Sequence, residues 1–545
     1  MATTISESDT DSTETDLLET ESVETESNET DDVEAPLADI SMLEDKLPEW
    51  ARLPRVLAGY TAIVGVALLF FSHQPLWHTD LWGHLSYGRE IVESGALPET
   101  EPLMPLARGV SLVDTAWLSQ VIGYVTYRAA GAPAVQFLYA MLMAGCLASL
   151  LWLFHWRTAN PMLCFAAIAL FLAVEWQQLK IVRPQSAGLM CFVLLWVLLM
   201  SKRWSRANWV LVPALFTVWA NLHGSFPVGL AVLGACCVGR GIDLVRRTGS
   251  VKSLLHDRWV RRYFLLLELG AVAALINPYG MGLYAEVFSF SAGPHLDGLA
   301  DWQPLTLRLR QGQAAAMLAL CLLFAYRMSP RRVTAAEVLL LIGLGAATLW
   351  TSRSLVWWGP VAAFFFVLHT HAAWKSRVGL EQAEPSPCRS TWTVVTIGVV
   401  WLSFAPTPFA LQTLHGENIK FKKSVSTYTP VEAVDYLRKN PPTGQIFNPL
   451  EWGDFLRWAG PSGIQVFVTS HVHLVPSEVW QDYQRVSNLI TGWDTTLDRY
   501  SVNTVVLDKL KHANLIETMR HHDDWEVAYE DGDGIAVIFQ RRQPI

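Results

Sequence analysis

Between Val56 and Ala410 the chain keeps returning to apolar runs of spanning or near-spanning length, near 56–74, 133–155, 161–177, 186–201, 208–222, 226–241, 263–277, 313–328, 335–351, 355–373 and 392–410. No other feature restricts the fold as much. Roughly 17–25 residues of helix cross a bilayer, and in lipid each backbone N–H and C=O needs a partner within the protein, so runs of this kind are helices. A chain that is 51% hydrophobic and 17% charged fits that solvent. We therefore expect an all-α polytopic membrane bundle of about eleven transmembrane helices over residues 51–410. The stretch "WLSQVIGYVTYRAA" (117–130) is shorter and more polar. It is expected to lie along the interface, closing a first outer loop at 75–132.

Charge sets an expected orientation. With the N-terminus inside, the inside segments hold 20 Lys and Arg, against 8 in the outer loops before residue 411. The overall net charge of −9 hides this asymmetry, because residues 1–45 contain 16 Asp or Glu and no base. Residues 1–50 read as a disordered acidic cytoplasmic tail, lacking the basic start and apolar core of a signal peptide. Eleven spans put residues 411–545 outside. "PVEAVDYLRKNPP" reads there as a helix, "GQIFNP", "IQVFVTS" and "SVNTVVLDK" as strands, and "WEVAYEDGDGIAVIFQRR" as a hairpin around Asp-Gly-Asp-Gly. A small extracytoplasmic α/β domain is expected. The seven cysteines show no C-x-x-C spacing, so neither a zinc ribbon nor a disulfide framework is indicated. The basic residues are spread over turns, without the aromatic-laced patch of a nucleic-acid binder, and no Gly-rich nucleotide loop is present.

The outer ends of the apolar runs carry a distinctive polar set. Asp80, His84 and Arg89 follow the first run, and Lys180, Arg183 and Gln185 lie between the third and fourth. Asn221 and His223 occupy the short turn "WANLHGSFP", Asn277 and Tyr279 end the seventh run in "LINPYG", and Arg353 sits in "WTSRSL". Each also has an ordinary reading: His223 as a turn cap, Arg183 snorkelling to headgroups, Asn277 as a helix ending before proline. Their shared face argues for a site. A carboxylate there can act as a general base, or hold a divalent cation with His84 one helical turn on, which makes Asp80 and His84 the metal candidates. Arginine offers a planar fork for phosphate. Base and phosphate clamp together at a lipid boundary suit group transfer from a lipid-linked phosphate. Two other readings remain open at this stage: a polyprenyl-lipid or solute transporter, for which Glu175 and Glu268 are the acids deep in apolar runs, and a catalytically inactive scaffold.

"HTDLWGHLSYGREIVESGALPETEPL" (78–103) resembles the first outer loop of bacterial GT-C-type glycosyltransferase-like membrane proteins. "RPQ" (183–185), "WANLHGSF" (219–226), "NPYG" (277–280), "FNPLEWGDFLRW" (447–458) and "GWDTTLDRYSVNTVVLD" (492–508) are similar to motifs of the same group, in the same order, so the resemblance spans about 55–545. It implies a GT-C fold in a bacterial inner membrane and an undecaprenyl-phosphate type sugar donor. It further implies Asp80 as base, with Arg183, His223 and Arg353 near donor or acceptor. His84, Gln185, Asn221 and Asn277 complete the expected binding set. The chain departs from the group in two places. Leu81 follows Asp80 where many relatives have a second acid, which weakens a metal-bound pair. "TSHVHL" (469–474) replaces a common Gly-Arg-x-Asp stretch; as strand residues His471 and His473 would point the same way and could share a metal.

Overall fold

The computed structural model describes residues 46–202, 204–290, 302–378, 387–532 and 534–544; most of the expected acidic tail lies outside them. Residues Glu49–Ile545 form one compact unit. Each apolar run is helical over most of its length: α1 (Arg55–Ser72), α3 (Trp117–Thr158), α4 (Pro161–Glu175), α5 (Gln185–Met200), α6 (Asn208–Leu222), α7 (Phe226–Thr248), α8 (Arg258–Ala273), α10 (Arg310–Met328), α11 (Ala335–Trp350), α12 (Leu355–Val378) and α13 (Ser390–Phe404) with α14 (Pro408–His415). Helix α2 (Leu81–Ser94) lies in the first loop, and α9 (Met281–Phe290) follows α8.

Local chemistry sets several boundaries. Asn160 caps α4, its side chain accepting from the Leu163 N–H at 3.2 Å just before Pro161. Asp257 caps α8 through the Trp259 and Val260 N–H groups and also pairs with Arg240 at 2.7 Å. Gly95 closes α2 at φ +70°, a left-handed conformation that glycine takes without a Cβ penalty.

The protein is a membrane protein by its apolar helices. Among the described residues four helical segments are long and apolar enough to cross alone, namely α1, α3, α7 and Ser352–Val378; the pair α13–α14, bent by 90°, makes a fifth. Helices α4, α5, α6 and α11 are apolar but only 15 or 16 residues long. Length and composition therefore carry fewer spans than the eleven expected, because several runs reach their full length only with polar flanks. The stretch 117–130 is continuous with 133–155 in α3, but its backbone breaks at Ala130 and at Gly131, where φ is +69°. The expected separation of the two helices survives as this kink.

After α14 comes a mixed five-stranded sheet of order β4-β3-β5-β7-β6, with a two-residue ribbon of β1 (Leu53–Pro54) and β2 (Cys388–Arg389) elsewhere. Strands β3 (Gln445–Phe447), β4 (Gln465–Val466) and β5 (Val502–Asp508) are parallel, while β6 (Trp525–Glu530) and β7 (Ala536–Arg541) form the antiparallel hairpin at Asp-Gly-Asp-Gly. The strand expected over "IQVFVTS" shrinks to two residues, and His471 and His473 fall at and in a one-turn 3-10 helix, Val472–Leu474. This corrects the strand-face reading of the two histidines.

The first loop is clasped between the helices and the sheet. Trp82, fully buried, packs against Phe421, Phe455 and Trp458. Leu76 joins Val425 in a bridge through two backbone hydrogen bonds, its N–H to Ser424 O at 2.8 Å and its carbonyl to the Ser426 N–H at 2.7 Å. The loop's Leu103 and Met104 share a core with Phe447 and Phe467.

Candidate active site

The clasp encloses a cavity of about 690 Å³. Asp80, His84, Arg183, Gln185, His223 and Arg353 all line it, although they are separated by up to 273 positions in the chain. Asn221 and Asn277 do not. Asn221 accepts from Trp117 Nε1 at 3.0 Å and donates to the carbonyls of Thr217 and Ile276, both at 2.8 Å, so it ties α6 to α3 and to the end of α8. Asn277 folds its own turn, donating to the Ala274 carbonyl at 2.7 Å and accepting from the Tyr279 N–H at 2.7 Å.

Asp80 is the N-cap residue of α2, yet its side chain makes no capping bond. The carboxylate instead faces Arg183, with Oδ2 3.9 Å from the guanidinium. Burial pushes the Asp80 pKa up, but the charge of Arg183, helped by His84, Arg353 and His471, outweighs it and holds the acid below its ordinary value. Asp80 is thus an anion at neutral pH. Arg353 sits over the Trp302 ring, its guanidinium carbon 5.4 Å from the ring centre, a cation–π contact.

The histidines are held neutral. Burial pulls His84 down to about 4, with the negative Asp80 opposing, and takes His223 to about 3, with Arg353 and Arg183 adding to the effect. His78, His471 and His473 line the same space and are lowered mainly by burial too. Sequence reasoning treated His78 only as the start of a motif.

Several buried groups in and behind the cavity wall lie outside the expected binding set. Glu101 accepts from the Tyr87 hydroxyl at 2.5 Å and from the Leu103 and Met104 N–H groups at 2.6 and 2.9 Å, which pins the loop's exit. Asp114 accepts from the Ala116 N–H and from Gln120 Nε2, each at 3.0 Å, and burial raises it to about 7. Asp454 is buried beside His471, Oδ1 to Nδ1 3.9 Å, and is likewise raised to about 7 by burial. Its seat depends on Gly83, where a Cβ would stand 2.4 Å from Asp454 Oδ1. The Asp-x-Ala turn before α3 was a readable signal for Asp114. Glu101 and Asp454 had none beyond their place in quoted motifs, since their partners are distant in sequence or are backbone groups.

Among the described residues no three His, Cys, Asp or Glu side chains are gathered as metal ligands. Asp80 faces Arg183, and His84 Nδ1 is engaged by Gln120 at 3.2 Å. The residues present do not fit the divalent cation that Asp80 and His84 left open, nor a shared metal on His471 and His473.

The oligosaccharyltransferase of Archaeoglobus fulgidus in the apo form superposes with a TM-score of 0.53 at 11% identity, covering 83% of this chain and 69% of that one. This chain has a GT-C-type fold. The same archaeal enzyme tethered with an acceptor peptide gives a TM-score of 0.50 at 12% identity over 89% and 74% of the two chains. ArnT from Cupriavidus metallidurans bound to undecaprenyl phosphate is a looser match, with a TM-score of 0.49 at 13% identity over 88% and 97%. At such identities the likeness speaks for the fold alone. No protein-family model and no curated protein matches the chain.

Proposed function

We propose that the protein is a glycosyltransferase that moves a sugar from a polyprenyl-phosphate donor of the undecaprenyl type to an envelope glycan, lipid or protein. One observation carries this reading: an ionised carboxylate, Asp80, meets Arg183 at 3.9 Å in a cavity that also holds Arg353. The GT-C-type fold agrees with it. In this reading about eleven spans place the cavity and residues 411–545 on the extracytoplasmic face of a bacterial inner membrane, with the N-terminus cytoplasmic.

The acceptor hydroxyl attacks the anomeric carbon of the donor. Its proton passes to Asp80, the carbon–oxygen bond to phosphate breaks, and the electron pair leaves with the polyprenyl phosphate. Arg183 and Arg353 stabilise the negative oxygen as it forms. Arg183 has a second effect. While it faces Asp80 it weakens the base; when the donor phosphate engages Arg183, Asp80 is released from that charge and gains basicity. The base is therefore strongest once the donor is in place.

The test is direct. Purified protein in liposomes carrying radiolabelled undecaprenyl-phosphate sugars should move label onto an acceptor fraction of the envelope. Movement of the intact donor between leaflets without transfer would instead support transport.

A further inference from the structure

We infer that Gln120 and Ser225 are positioning residues that lock His84 and His223 into the same neutral tautomer, with the proton on Nε2, so that both rings donate a hydrogen bond to the phosphate held by Arg183 and Arg353. The inference rests on the transferase reading for the identity of the anion and goes beyond it in assigning the ring protons.

The geometry at His223 is unambiguous. The Ser225 backbone N–H, which can only donate, points at His223 Nδ1 at 3.1 Å. The Ser225 hydroxyl lies 2.8 Å from the same nitrogen, while Trp219 Nε1 donates to that hydroxyl oxygen at 3.0 Å and so leaves its proton for the ring. Nδ1 is thus an acceptor, and in a neutral ring the proton resides on Nε2.

His84 reaches the same state by a different route. Gln120 Nε2 lies 3.2 Å from His84 Nδ1 and 3.0 Å from Asp114 Oδ1. Asp114 Oδ1 also takes the Ala116 N–H at 3.0 Å, so it acts as an acceptor and requires the amide nitrogen of Gln120, not its oxygen, to face it. That nitrogen has two hydrogens, one for Asp114 and one for His84 Nδ1. Two other cavity histidines are not held this way: Nδ1 of His78 and of His471 meets no hydrogen-bond partner among the described residues.

The device has a clear physical use. Two arginines already supply positive charge at 183 and 353. Two further cations in the same buried space would repel them and each other. Neutral Nε2–H groups add directional donors for phosphate oxygens without adding charge, and burial keeps both rings neutral.

The experiment uses full-length protein labelled with ¹⁵N-histidine in micelles, with His84→Gln and His223→Gln spectra assigning the two rings. At neutral pH both should show Nδ1 unprotonated and Nε2 protonated, and saturating undecaprenyl phosphate should shift both Nε2 signals. Gln120→Leu should give His84 a mixed tautomer and weaken undecaprenyl phosphate binding about tenfold. A proton on Nδ1 of either ring in the wild type, or Nε2 signals indifferent to undecaprenyl phosphate, overturns the inference, and the wild-type spectrum decides this even if a variant fails to fold. Correct tautomers and shifts in a protein that moves no sugar would sink the transferase reading alone.

Discussion

Asp80→Asn is the sharpest perturbation of the site. The amide has the shape of the carboxylate, so packing is kept while the charge and the proton acceptor are both lost. Two opposite charges 3.9 Å apart attract by about 4 kcal/mol at an effective dielectric of 20. The Asp80 side chain is 31% exposed, so solvent screening reduces this to about 2 kcal/mol. The variant should therefore fold, with a modest loss of stability. Catalysis should suffer far more, since a positioned general base contributes about 10²- to 10⁴-fold. The expected result is a kcat at least about a hundredfold lower. The donor KM should not rise and should fall if anything, because Arg183 no longer divides its charge between Asp80 and phosphate. Initial rates of transfer from labelled lipid-linked sugar, measured against donor concentration, separate the two constants. A kcat within tenfold of wild type, or a raised KM with kcat unchanged, would refute the assignment of Asp80 as base and the reasoning that Arg183 restrains it.

Two predictions address the groups around the cavity. Asn221→Ala leaves three buried hydrogen bonds unmade, to Trp117, Thr217 and Ile276, at a cost of about 2–4 kcal/mol; its thermal midpoint should drop while donor KM is unchanged, and a raised KM at normal stability would show that Asn221 contacts donor after all. Asp454 is raised by burial from 3.8 to about 7, so the folded state favours the protonated acid. The unfolded state ionises first, so wild-type stability is lost as pH rises from about 4 through about 7, by at most about 4 kcal/mol. Asp454→Asn removes that titration. The variant should match wild type near pH 4 and exceed it at pH 8 by thermal unfolding, and parallel midpoints across that range would contradict the burial argument.

Much of this arrangement was readable because lipid leaves few choices. Apolar runs had to be helices, and polar residues at their ends were expected to gather on one face; Asp80, Arg183, His223 and Arg353 do line one cavity although the chain scatters them. The hairpin at 525–541 announced itself through alternating β-formers around Asp-Gly-Asp-Gly. What resisted reading depends on contacts between distant segments. "IQVFVTS" has strand propensity, but only Gln465 and Val466 find a neighbour in β3, and the backbone then turns so that His471 and His473 reach the cavity from a 3-10 turn. Asn277 looked like a site residue by its position and proved to be engaged by its own turn, the bland alternative stated for it at the outset. Gln120 was hidden on a helix read as interfacial; nothing in its local sequence shows that its amide would stand between Asp114 and His84.

A cryo-EM map of the full-length protein with undecaprenyl phosphate bound tests the central claim most directly. The account predicts the phosphate inside the cavity, within hydrogen-bond reach of both Arg183 and Arg353, with the lipid tail leaving toward the bilayer and Asp80 open to the acceptor side. A phosphate seated elsewhere on the protein, with Arg183 still paired to Asp80, would contradict it.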